Sequence, residues 1–193
     1  MNLNDFLEEE NRGIIFCKIG KSSNKMWGKG GHFPYRDYIG KIINLSEGDI
    51  TFERLDDVVK YLHYGDDLVI FSFSEGKNNL PQTGYWYNGL NERCYNTNNI
   101  YVKDVLSFND PNTVNFIYEH LKDKSNFIAY RGGATSHLKD RGLFEAAQRW
   151  EDLVNSENSL SNKEDDEEKG KLKKLLDYMI RRLKKDNSKD KNR

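Results

Sequence analysis

Apolar residues recur along this chain with two different periods, and the switch between them marks out its elements. Ile14-Ile-Phe-Cys-Lys-Ile19 and Leu68-Val-Ile-Phe-Ser-Phe-Ser74 are short, nearly continuous apolar runs bounded by turn formers, which predicts two interior strands. The stretch from Tyr61 to Phe108 reads as the centre of a sheet, with further strands at Gly84 to Leu90 and Asn99 to Leu106. Tyr38 to Leu45 fits a strand or a short helix, Ile50 to Phe52 is short and apolar, and Asn126 to Tyr130 is predicted as the last strand. Helical spacing appears at Leu55, Val58, Val59 and Leu62, ending at Gly65. It returns at Val114, Ile117, Tyr118 and Leu121, behind an Asp110-Pro111 start, and at Leu143, Ala146, Ala147, Trp150 and Val154. Near the N-terminus, Asn4 is placed to cap a first helix through Glu10.

The pattern breaks at Asn155. From there to Gly170 only Leu160 is apolar, the composition of a solvated linker. Leu172, Leu175, Leu176, Met179, Ile180 and Leu183 then form one narrow stripe on a basic helix. The reading is an α+β domain over residues 1–154 with a mixed, barrel-like sheet flanked by helices. A flexible linker at 155–170, an amphipathic helix at 171–185 and a disordered tail at 186–193 follow. The stripe suits a protein partner or self-association better than a membrane surface, since Tyr178 is its one interfacial aromatic residue.

Composition narrows the classes. A chain of 193 residues is long enough to bury a core without staples. Net charge is −1 with 32% charged residues, so attraction for an acidic partner must come from local clusters. Cys17 and Cys94 lack metal-ligand spacing and read as reduced core thiols, with a single bridge between them as the alternative. The acidic N-terminus has no apolar core of a secretory signal, and no run approaches a bilayer's thickness, which points to the cytoplasm.

The richest local chemistry lies between Lys18 and Lys41. Lys18, Lys21, Lys25, Lys29, Arg36 and Lys41 face Asp37 alone, with Trp27, Phe33, Tyr35 and Tyr38 threaded among them and Gly28, Gly30 and Gly31 loosening the backbone. Cations neutralise phosphates and aromatic faces stack on bases, so this mixture suits a nucleic-acid surface. It equally describes a solvated loop whose aromatics fold back onto the core. Arg131-Gly-Gly133, with Thr135, Ser136 and His137, reads either as a second anion site or as a plain glycine turn. The histidines are scattered without a metal pattern; His32 and His137, in glycine-flanked loops, are the two suited to acid-base work. His63 and His120 fit helix ends, where a histidine favours the dipole.

The order of a strand running into lysine and serine (Ile15 to Ser22), Trp27, the strand Val69 to Ser74 and the strand Ile100 to Val105 resembles the PUA-like superfold of YTH and EVE domains. That resemblance implies a small mixed barrel holding a modified or flipped base in an aromatic pocket. Its candidate cage is Trp27 and Trp86 with Tyr35 or Tyr87, and the nucleic-acid contacts are Lys21, Lys25, Trp27, Lys29, Tyr35, Arg36, Trp86 and Arg131. No cofactor or metal belongs to this reading. The competing enzyme reading takes Asp67 (or Asp66), Glu75 and Lys77, with Glu53 as a third acid, as a restriction-endonuclease type of Mg²⁺ site. A third reading makes the chain a non-catalytic interaction module working through its C-terminal helix.

Overall fold

The computed structural model describes residues 3–21, 23, 25–28, 31–44, 50–75, 83–87, 93–159, 169 and 171–173, with backbone alone at 27, 28, 31, 32, 83–87, 93 and 94. Helix α1 (Leu3–Asn11) leads to β1 (Phe16–Gly20), the hairpin β2 (Met26–Gly28) and β3 (Gly31–Phe33), and a single 3₁₀ turn at 36–38. Strands β4 (Lys41–Asn44) and β5 (Ile50–Arg54) follow, then α2 (Leu55–Val58) and a 3₁₀ segment, Val59–Tyr64. Next come β6 (Asp67–Ser72), β7 (Thr83–Tyr87), β8 (Arg93–Thr97) and β9 (Asn99–Ser107). The described helices after the sheet are α3 (Asn112–His120), α4 (Ser125–Ala129), α5 (Arg131–Asp140) and α6 at 144–159.

The fold is α+β, as the pattern predicts. Seven strands form one sheet in the order β4-β9-β6-β1-β5-β8-β7. Its ladders are antiparallel rather than mixed, and the sheet stays open instead of closing into a barrel. β1 and β6 lie side by side in the middle, with Phe16 opposite Phe71 and Gly20 opposite Asp67. Every residue of both strands is buried, which is why their sequences run apolar without alternation.

On one face, α1 lays Phe6 into an aromatic core. Its ring stacks on Phe73 at 4.7 Å and meets Phe16 edge-on at 5.3 Å, with Phe52 and Tyr95 completing the cluster. Such rings bring both area and geometric preference to a core. A second nucleus lies among the helices. Phe127 stacks on Trp150 at 3.9 Å, and Trp150 Nε1 donates to the Phe127 carbonyl at 3.1 Å.

Several expectations are corrected. Asn4 lies inside α1, which already begins at Leu3. The predicted helix from Leu55 tightens into 3₁₀ geometry after Val58. Asn126–Tyr130 is α4 rather than a strand, because Phe127 turns toward Trp150 instead of alternating across a sheet. The glycine loop after it is the first turn of α5. α6 continues to residue 159, beyond the compositional break at Asn155. The chain divides into two compact units, Met1–Asp152 and Leu153–Arg193. Of the expected C-terminal helix, 171–173 is helical; the rest, and the tail at 186–193, lie outside the described residues.

Candidate nucleic-acid interface

β1 ends at Gly20, and the chain turns through Lys21 and Lys25 into β2. The Lys21 N–H donates to the Lys25 carbonyl at 3.0 Å, and both lysines are exposed. Two cations thus stand side by side at one end of the sheet. Two glycines let another part of the chain approach this turn. A side chain at Gly65 would strike the Gly20 carbonyl oxygen at 1.9 Å, and one at Gly20 would meet the Tyr35 ring at 2.6 Å. With both bare, the Asp66 N–H reaches the Gly20 carbonyl at 2.9 Å. The 3₁₀ segment ending at Tyr64 is thereby stitched to the same end of the sheet as Lys21.

Tyr64 is 52% exposed, a large aromatic face left at the surface. His63 lies beside it with ring centroids 4.0 Å apart, and Tyr61 stacks on it at 6.2 Å. His137, on α5, approaches His63 at 5.6 Å. Arg141 holds this junction together: Nη1 donates to the Leu62 carbonyl at 3.1 Å and to that of Gly65, and Nη2 donates to the His63 carbonyl at 2.6 Å. Cations at the last carbonyls of a helical segment complement their partial negative charge. Burial, then His137 and Arg141, lowers the His63 pKa against an opposing hydrogen bond that the ring donates to the Lys60 backbone carbonyl. His63 and His137 are far apart in sequence, and the pattern assigns them to unrelated helix-end and loop roles.

Tyr35 and Arg36 do not belong to this surface in the way predicted. Tyr35 is fully buried, with its hydroxyl between the Lys21 carbonyl and Asp67 Oδ2, 2.5 Å from the latter. Burial, reinforced by Asp67, pushes that phenol well above its usual range. Arg36 is engaged by the same Asp67 oxygen. A base-stacking Tyr35 and a phosphate-directed Arg36 are both corrected: Arg36 neutralises a buried carboxylate to which Tyr35 donates a hydrogen bond. Lys18 is likewise buried and donates to Thr51 Oγ1 at 2.6 Å.

Trp27 stands on β2 and Trp86 on the edge strand β7, opposite Cys94 of β8; their side chains, and all of Lys29, lie outside the described residues. The open sheet removes the barrel on which the cage rests. Arg131 is exposed at the start of α5, a helix roughly 15 Å long whose other end leads to the Arg141 junction, and the glycines after it are helical rather than a loop.

The nuclease constellation does not assemble. Asp67 begins β6 and Glu75 lies beyond its far end, a strand of six residues spanning roughly 17 Å. Glu75 is paired with Lys103 at 3.0 Å, and Lys77 lies outside the described residues. Glu53 is buried on β5, where burial pushes its carboxyl up to about 7 against the pull of Lys18. Among the described residues no three His, Cys, Asp or Glu side chains converge as a metal site. Comparison with protein-family models, with curated proteins and with solved structures finds no match.

Proposed function

We propose that this protein binds single-stranded nucleic acid at the end of the sheet formed by the Lys21–Lys25 turn and the Tyr64 segment. One observation carries the reading: the Gly20–Asp66 hydrogen bond brings a pair of exposed lysines and an exposed tyrosine to the same end of the fold. Lysines supply phosphate neutralisation, and a tyrosine face supplies sequence-tolerant stacking for an unpaired base. His63 and His137 add hydrogen-bonding groups beside that face. The neutralisation of Asp67 by Arg36 removes a carboxylate that would otherwise repel the backbone. The setting we propose is cytoplasmic, in keeping with the free, buried thiol of Cys17; among the described residues no helix is long and apolar enough to cross a membrane.

Fluorescence anisotropy with a labelled single-stranded oligonucleotide tests the reading. Tyr64→Ala is expected to weaken binding by about tenfold, the worth of one stacked base. Equal affinity of the variant and the parent protein would remove Tyr64 from the interface.

A further inference from the structure

A separate cavity of about 320 Å³ lies at the start of β1, the end opposite Lys21, beneath α3 and against β6 and β9. Its volume falls within the range of small-ligand sites, about 300–1,000 Å³. Ile14, Ile15, Ile70 and Phe116 give it an apolar lining, and ionisable groups stand at its rim.

Both rim acids accept hydrogen bonds from the chain itself. Glu10 Oε1 accepts the Ser72 hydroxyl at 2.7 Å, and Oε2 accepts the backbone N–H groups of Phe73 at 3.1 Å and Ser74 at 2.8 Å. Asp104 Oδ1 accepts the Val105 N–H at 2.7 Å. The basic groups retain donor capacity. Lys103 uses one hydrogen bond on Glu75 at 3.0 Å, out of the three an ammonium can give. The Lys122 ammonium lies over Gly13, a lining residue, 3.2 Å from where a Cβ would project. His120 places Nδ1 2.8 Å from the Phe116 carbonyl, which makes Nδ1 the protonated nitrogen and fixes the ring against α3. Its ring stacks on Phe116 at 4.3 Å, extending the flat wall toward the rim.

We propose that this cavity is a binding site for a small organic carboxylate with a planar apolar body. The flat body packs against Phe116 and the isoleucines, and the carboxylate meets Lys122 and Lys103 at the rim. The apolar part is driven in by burial, while charge-assisted hydrogen bonds fix which end faces out. The site is independent of the nucleic-acid reading, since it occupies the other end of β1.

Isothermal titration calorimetry of the full chain with 1-naphthoate and with the uncharged 1-naphthylmethanol tests this. Naphthoate is expected to bind saturably at one site, about tenfold tighter than the alcohol, the scale of one charge-assisted hydrogen bond. Lys122→Ala and Lys103→Ala, both at exposed positions, are each expected to weaken naphthoate without shifting the melting temperature. Ile14→Trp, which fills the lining, is expected to abolish binding of both probes. Absence of saturable binding, equal affinity for acid and alcohol, or full affinity in the folded Ile14→Trp variant would each overturn the proposal. If Ile14→Trp fails to fold, unchanged naphthoate affinity in both rim variants overturns it alone.

Discussion

Asp67 and Glu53 are two buried carboxylates with opposite solutions to the same problem. Burying a charge is costly unless it is paired. Asp67 is held by the Tyr35 hydroxyl and the Arg36 guanidinium, so a residue that reads as a metal ligand is an internal anchor. Glu53 instead has its carboxyl raised from the usual carboxylate range to about 7, chiefly by burial, with Asp57 adding to it and Lys18 opposing. The folded state therefore holds a proton that the unfolded chain has already released above about pH 4.5. Stability from this group is present at the acid end of that window and lost as pH rises through 7. Glu53→Gln is accordingly expected to leave stability near that of the parent at pH 5 and to raise it by up to about 3 kcal/mol at pH 8, as measured by urea unfolding. A difference that is the same at both pH values would contradict this.

Among the elements, β1 and β6 are legible in the sequence because burial on both faces leaves an apolar run that only an interior strand accommodates. α4 and α5 are not legible. Asn126-Phe-Ile-Ala-Tyr130 is too short to display a period, and Gly132-Gly133 signals a turn. What makes them helical is tertiary: Phe127 reaches Trp150, and Arg141 ties the end of α5 to the carbonyls of the preceding 3₁₀ segment. The candidate site divides in the same way. Lys21 and Lys25 are visible as a basic turn, but nothing local reveals that Tyr35 and Arg36 fold inward onto Asp67. The exposed Tyr64 stands at the end of a helical pattern where an aromatic normally reads as core. Because a Cβ at Gly132 or Gly133 would meet nothing within 4 Å, their presence in the first turn of α5 costs helix stability without serving packing. Gly133→Ala is expected to stabilise the protein by about 1 kcal/mol, seen as a higher melting temperature. A loss of stability there would mean that α5 needs its glycines for something other than helix formation.

At the scale of the whole molecule, the central strands of the open antiparallel sheet end in two different settings. One end gathers exposed cations and an aromatic face; the other opens into an apolar cavity beneath α3. The near-zero net charge means that a nucleic-acid partner must be held by this local cluster rather than by the molecule's overall field. The most direct test of that claim is the salt dependence of oligonucleotide binding, compared between the parent protein and the Lys21→Ser/Lys25→Ser double variant. For single strands each phosphate contact contributes roughly 0.7 to the slope of log affinity against log salt. The account predicts a double variant that binds more weakly and with a slope shallower by roughly 1.4. An unchanged slope and affinity would show that the Lys21–Lys25 turn does not contact nucleic acid.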